Sequence, residues 1–282
     1  MFKNDEANFS LNKFDINSIV DHAAICMVAK RGSGKSWLVR DIMAQKKDIP
    51  GGVIIAPTDK LSGFYNDIYP SSYIYYSYDS SILGNIFYRQ GLMIDKNKER
   101  KLQRKKLVDT RVMLVMDDCL AQKSLWAKDQ NILELMQNGR HYHITYMLTM
   151  QYSLGISPEL RSNFDYIFLL GEDMINNRKK LYDHYAGMFP SFDIFQKVFT
   201  HCTNDYGCMV IDNRTRTSDI TKKVFWYKAR KPKDIEIGHK KFREFHYKNF
   251  DKNWNKRIPI FDINSLINKK KKNRKFTISL KN

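Results

Sequence analysis

The sequence predicts an α/β domain: a mainly parallel β-sheet covered by helices on both faces, with a C-terminal edge β-hairpin and a basic tail. Three observations carry this prediction. Short, near-continuously apolar runs alternate with longer amphipathic stretches, the pattern of strands that meet water on neither face. A glycine-rich stretch, Gly32-Ser33-Gly34, stands between the first apolar run and the first helical one. The chain has 282 residues, enough to bury about three quarters of its unfolded surface without a disulfide or metal staple.

The elements follow in order. Residues 1–20 form a short polar lead-in. The strand candidates are Ala23–Ala29, Val53–Ala56, Tyr73–Tyr76, Val112–Met116, Ile144–Thr149 and Tyr166–Leu170. Helical periodicity fills the intervals at Trp37–Gln45, Ser81–Lys106 and Asp129–Asn138. Two later apolar runs, Cys208–Ile211 and Val224–Tyr227, flank a polar stretch and form the hairpin at the edge of the sheet. Pro232 interrupts the basic run Lys228–Lys233 and marks the end of a core spanning 21–232. Residues 233–282 are then a basic, aromatic extension with a disordered end, where six of the seven residues Lys269–Lys275 are bases.

Composition narrows the function classes. The longest apolar run, Ala23–Ala29, falls far short of the ~20 residues a membrane helix needs. The N-terminus lacks a signal-peptide core, so neither secretion nor membrane insertion is expected. Cys26, Cys119, Cys202 and Cys208 are widely spread, which predicts reduced thiols in a reducing compartment. His201, Cys202 and Cys208 do not complete a zinc set. The net charge is +18 and unevenly placed: residues 228–282 hold 18 Lys and Arg against 5 Asp and Glu. That asymmetry suits a polyanionic partner, most simply nucleic acid.

The chemistry is concentrated in three places. Ala29-Lys30-Arg31-Gly32-Ser33-Gly34-Lys35-Ser36 matches the phosphate-binding loop G-x-x-x-x-G-K-[ST], with Ala29 in place of the first glycine. Gly32 and Gly34 permit the backbone angles that aim successive N–H groups at phosphate oxygens. Lys35 is expected on the β- and γ-phosphates and Ser36 on Mg²⁺. A strand precedes the loop and a helix follows it, and a helix N-terminus attracts anions. Next, Val112–Met116 ends in Asp117-Asp118. An acid at the carboxyl end of a strand neighbouring the loop strand projects into the same crevice. Asp117 is placed to support Mg²⁺ and Asp118 to polarise an attacking water. Third, Gln151 follows the strand Ile144–Thr149 and can hydrogen-bond that water or sense the γ-phosphate.

As a set, these residues resemble the FtsK–HerA superfamily, and within it the poxvirus-type genome-packaging ATPases of large DNA viruses. The resemblance rests on the loop, Met116-Asp117-Asp118-Cys119, Asn138-Gly139-Arg140-His141, Thr149-Met150-Gln151 and Pro158-Glu159-Leu160-Arg161-Ser162-Asn163, in that order. It extends through Val210-Ile211-Asp212-Asn213 and Val224-Phe225-Trp226-Tyr227-Lys228-Ala229. It implies a RecA-like P-loop core and an ATP- and Mg²⁺-dependent ring, a hexamer or pentamer, that translocates double-stranded DNA into a capsid. The implied partners are capsid or portal-vertex proteins, at the viral assembly site in the host cytoplasm or in the virion. Arg140 falls where the superfamily places an arginine finger acting on the neighbouring subunit's nucleotide; Gly139 before it suits the left-handed turn after a helix, which would set Arg140 at an edge of the sheet. Arg161 is a second candidate, or else an arginine that pins the Pro158–Asn163 turn. Asp118 stands where cellular members commonly carry Glu, so its carboxylate reaches less far.

A GTPase would need Asn-Lys-x-Asp after the acidic strand, but the copy here, Asn12-Lys13-Phe14-Asp15, precedes the loop. A small-molecule kinase leaves Gln151, Arg140 and the basic C-terminal fifth unexplained. A helicase shares the loop, the acids and the polar-tipped strand, and is the alternative reading. The helix at Lys96–Lys106 spreads its charges around its surface and is expected to be a solvated face. The DNA-binding expectation therefore falls on residues 228–282. Deleting 269–282 is expected to weaken DNA affinity and flatten its salt dependence, because fewer phosphate contacts release fewer counterions. Binding isotherms over a salt series check this, and an unchanged slope would place the DNA surface elsewhere.

Overall fold

The computed structural model describes residues 10–119, 128–151, 156–233, 235–251 and 253. Eight strands form one sheet: β1 (Ala24–Val28), β2 (Gly52–Ile55), β3 (Ile74–Tyr75), β4 (Val112–Met116), β5 (Ile144–Met150), β6 (Tyr166–Leu170), β7 (Gly207–Asp212) and β8 (Val224–Lys228). Their order across the sheet is β3-β2-β4-β5-β1-β6-β7-β8. Strands β1 to β6 pair in parallel, whereas β7 runs antiparallel to β6 and β8 antiparallel to β7. The predicted parallel sheet and edge hairpin are both present.

One expectation needs correction. The acidic strand β4 is not hydrogen-bonded to the loop strand β1, because β5 lies between them and pairs with both. Gln151 thus leaves the sheet between the phosphate loop and the carboxylates.

The helices are α1 (Lys35–Gln45), α2 (Asp59–Ser62), α3 (Ser80–Leu102), α4 (Gln130–Asn138), α5 (Pro158–Arg161), α6 (Ile175–Tyr185), α7 (Phe192–Cys202) and α8 (Lys240–Asn249). Two cores sit on opposite sheet faces, as the period-2 alternation of side chains along a strand requires. On β1, Ala24, Cys26 and Val28 face the core shared with α3, α4, α6 and α7. Ile25 and Met27 face the core shared with α1. All four cysteines are free and buried. Among the described residues no helix is long and apolar enough to cross a membrane.

Helix α3 stops four residues earlier than expected: Gln103 caps it and Arg104 adopts φ 53°. The bases at 104–106 therefore lie in the chain after the helix. The polar lead-in is also more than a lead-in. Phe14 meets Tyr166, Phe168 and Phe225 edge-on at 5.7, 5.8 and 5.7 Å. The Phe14 N–H donates to the Trp226 carbonyl at 2.8 Å, which lays residues 12–14 alongside β8. Phe14, Ile16 and Ile19 are buried, each contributing about 1.5–3 kcal/mol of transfer free energy.

The chain also stays packed beyond Pro232. Ile237 is buried, and Phe242 of α8 stacks on Tyr73 at 4.1 Å beside the β3 edge. The same ring covers Gly51, where an added Cβ would come within 2.8 Å of it. Helix α8 thus packs against the residues that lead into β2 and β3. The basic run Lys269–Lys275 lies outside the described residues.

Candidate nucleotide site

The carboxyl ends of β1, β4 and β5 open into a cleft of about 1190 Å³. Its floor is the loop from Lys30 to Ser36. Gly32 and Gly34 take φ of 80° and 93°, the left-handed region where a side chain is costly. Gly34 caps α1 in that conformation, so the free N–H groups of the first turn face the cleft. Ala29 is buried at the end of β1 and donates its N–H to the Met150 carbonyl at 2.9 Å. A methyl group fits at that position. Ser33 Oγ donates to the Lys30 carbonyl at 2.7 Å, closing the loop on itself. Lys30 pairs with Asp173 at the rim.

Lys35 Nζ lies 3.4 Å from Asp117 Oδ1 and 3.6 Å from Asp118 Oδ1. The sequence-predicted lysine and both predicted acids therefore converge. Asp117 is only 3% exposed, and a buried carboxylate is tolerable only when fully partnered. The Thr149 hydroxyl donates to its Oδ1 at 2.6 Å. The Tyr65 hydroxyl donates to Oδ2 at 2.7 Å, and Ser36 Oγ to the same oxygen at 3.3 Å. Thr149 also accepts the Asp118 N–H at 2.9 Å, so one hydroxyl orients both acids. Asp118 holds φ 57°, a conformation that costs a non-glycine residue about 1–3 kcal/mol. That turn directs its carboxylate into the cleft, where Gln151 Nε2 donates to Oδ2 at 2.7 Å.

Tyr65 was not legible in the sequence. It arrives on the segment after α2, which the buried Asp59 ties down. Asp59 Oδ1 accepts the Phe64 N–H at 2.5 Å and the Ser62 hydroxyl at 2.9 Å. Arg40 of α1 binds Asp67 at 2.8 Å and lies over the Trp37 and Phe64 rings, clamping this segment to the phosphate-loop helix. Burial and the adjacent Asp117 push the Tyr65 phenol well above its ordinary pKa. It therefore remains protonated and donating at any physiological pH. Burial followed by the charges of Asp117 and Asp118 likewise raises the Cys119 thiol, which stays uncharged behind the site.

The basic segment after β8 was expected to end the core, yet it returns to the cleft. Lys228, Ala229 and Lys231 line it opposite the carboxylates. Asp41, fully buried on α1, holds them there: its Oδ2 accepts the Tyr227 hydroxyl at 2.7 Å and the Arg230 N–H at 2.8 Å. Arg31 also lines this cleft.

Arg140 lies elsewhere. It precedes β5, at the end of the sheet opposite the phosphate loop, and was expected at a sheet edge after a left-handed Gly139. Gly139 is in fact right-handed, at φ −52° and ψ −34°. Glycine is needed there for close approach, because an added Cβ would fall 2.5 Å from the Leu135 carbonyl oxygen. Arg140 is 64% exposed at its side chain and pairs with the buried Asp165 at 2.5 Å. Arg161 is buried; its Nε donates to the Ile156 carbonyl at 2.9 Å and its guanidinium lies over the Tyr185 ring.

Because Thr149 orders both acids, Thr149→Val, nearly isosteric, is expected to lower whatever nucleotide hydrolysis the cleft supports by roughly 10- to 100-fold. Thr149→Ser should retain most of it. Phosphate release alongside a melting curve separates this effect from unfolding.

No family model matches the chain. Among solved structures, the fold is similar to the genome packaging NTPase B204 from Sulfolobus turreted icosahedral virus 2 in complex with AMPPCP. That likeness has a TM-score of 0.48 at 17% identity and covers 75% of this chain and all of that one. It is also similar to the pCW3 conjugation coupling protein TcpA, with a TM-score of 0.42 at 13% identity over 61% of this chain and 54% of that one. Two viral proteins are nearer in sequence. Protein L437 of Acanthamoeba polyphaga mimivirus is 51% identical over 243 residues, covering 86% of this chain and 85% of its own length. Protein 088R of Invertebrate iridescent virus 3 is 35% identical over 237 residues, covering 80% and 87%. With relatives at this identity and coverage, the chain belongs to the family of viral proteins that includes L437 and 088R.

Proposed function

We propose that the protein is a Mg²⁺-dependent ATPase that works as a ring of identical subunits and moves double-stranded DNA into a viral capsid. The observation that carries the enzymatic part is Lys35 held between Asp117 and Asp118, with Gln151 on the outer carboxylate. The loop N–H groups would take the phosphate oxygens, and Lys35 would exchange its carboxylate partners for the β- and γ-phosphates. Ser36 and Asp117 offer hard oxygen donors that would hold Mg²⁺, which would supply charge neutralisation to the phosphates. Asp118 accepts a proton from the attacking water, whose oxygen bonds to the γ-phosphorus as the bond to the bridging oxygen breaks and ADP leaves. Gln151 orients that water together with Asp118.

The packaging part rests on the ordered set of motifs that resembles genome-packaging ATPases, and on the basic excess toward the C-terminus. The place of Arg140 supports the proposed ring. It shares a cleft of about 520 Å³ with Arg214 and Arg216, at the end of the sheet away from its own phosphate loop. In that place Arg140 can serve a transferred phosphoryl group only on a neighbouring copy, where such arginines contribute roughly 10³- to 10⁵-fold. Capsid or portal proteins at the assembly site complete the proposed partners.

Lys35→Ala and Asp117→Asn are each expected to lower DNA-stimulated ATP hydrolysis by orders of magnitude, with melting curves used to choose an assay temperature at which each variant stays folded despite the stability lost with the buried pair. Near-normal turnover in either would remove the site assignment. Arg140→Ala and Lys35→Ala subunits, each inactive alone, should regain activity when mixed under conditions of shown subunit exchange. Normal hydrolysis by Arg140→Ala alone would end its role as a finger in trans.

A further inference from the structure

The cleft has two unlike walls. From β4 and β5 come Asp117, Asp118 and Gln151, the groups suited to a γ-phosphate and its attacking water. On the other side of β1, beyond β6, the wall is made by the residues that enter β7 and leave β8: Asp205, Tyr206, Lys228 and Ala229. A nucleotide whose terminal phosphate lies toward the carboxylates must direct its other end toward this second wall.

Tyr206 is the prominent group there. It is 68% exposed although it lines the cleft. It packs beside Gly34, where an added Cβ would lie 3.7 Å from the Tyr206 ring. Neither its ring nor its hydroxyl has a stacking or hydrogen-bonding partner among the described residues. The other aromatic rings lining the cleft, Trp37 and Phe64, are already engaged: Arg40 and Lys231 lie 5.5 and 5.4 Å from the Trp37 ring, and Phe64 meets Trp37 and Tyr65 edge-on.

The backbone presents Tyr206 deliberately. Asp205 and Tyr206 both take positive φ, 49° and 60°, two successive non-glycine residues in the left-handed region. Gly207 follows because an added Cβ there would come within 2.3 Å of the Cys202 carbonyl oxygen. Asp205 is anchored by Lys228. A strained, anchored turn that leaves a large aromatic ring uncovered is the kind of feature found at ligand clamps.

We propose that Tyr206 is the nucleobase platform of this cleft, stacking on the planar base while the phosphate loop holds the other end. The proposal rests on the cleft being a nucleotide site, and it assigns affinity for the base to the β7–β8 side. Every base offers a π-face, so stacking supplies affinity with little choice among bases.

The test uses Tyr206→Asn, since Asn tolerates a left-handed φ and leaves the turn intact, with Tyr206→Phe as the conservative variant. Calorimetry measures the binding of a non-hydrolysable ATP analogue and of inorganic tripolyphosphate, which has no base. Tyr206→Asn should weaken the analogue about tenfold, the scale of one lost base stack, and leave tripolyphosphate unchanged. Tyr206→Phe should restore the analogue. Unchanged analogue affinity in Tyr206→Asn would overturn the proposal, and so would an equal loss for tripolyphosphate, which would put the ring on the phosphates or the loop. If the unaltered protein binds neither probe, the nucleotide reading falls and takes this inference with it.

Discussion

The carboxylate of Asp117 is buried at the carboxyl end of β4, and much of the site is organised around keeping it partnered. An ionised group taken out of water is stable only when its oxygens are filled by donors of good geometry. Here four donors come from three places: Lys35 and Ser36 at the start of α1, Thr149 at the end of β5, and Tyr65 from the segment beyond α2. The insertion of β5 between β1 and β4 is what brings Thr149 within reach. Were β4 directly beside β1, the threonine would not stand between the loop and the acids, and Asp118 would lose the acceptor for its N–H. Losing one partner of such a buried ion pair typically costs about 3–5 kcal/mol, so these elements support one another.

A second carboxylate, Asp41, does for the C-terminal segment what Asp117 does for the centre. It is buried on α1, one face of which lies under the phosphate loop's exit, and it grips Tyr227 and the Arg230 backbone. Residues of the hairpin are thereby tied to the helix that carries Lys35. Burial, the Asp41 hydrogen bond and its charge raise the Tyr227 phenol, keeping it a donor. The basic run expected to close the core becomes a wall of the cleft.

The two ends of the sheet are chemically distinct. The carboxyl ends hold the phosphate loop and its acids, while the amino ends hold Arg140, Arg214 and Arg216 around Asp165. Asp165 is itself anchored, its Oδ2 accepting the Ala24 N–H at 2.9 Å, so Arg140 is held from beneath while its outer face stays open. Under the proposed ring, this polarity lets one copy present arginines while its neighbour presents a nucleotide.

Much of this was written in local sequence. Gly32 and Gly34 announce positive φ because few other residues adopt it cheaply, and Lys35-Ser36 follow at a fixed spacing set by the loop's backbone. The doubly buried strands announce themselves by unbroken apolarity, which is why β4 and β6 were legible to the residue. Helices α6 and α7 were not singled out, since their apolar positions are sparse or aromatic and carry no motif. Tyr65, Thr149, Tyr206 and the return of Lys228 and Lys231 were invisible for a different reason. Their roles depend on distances between segments far apart in the chain, such as the 52 residues separating Tyr65 from Asp117, and no local pattern encodes such a distance. The sequence by itself determined the chemistry available, a phosphate loop, two acids and a polar strand tip. Only the tertiary structure decided which strand stands between them, which hydroxyls hold the buried carboxylate and which residues form the second wall of the cleft, because burial and long-range packing set those contacts.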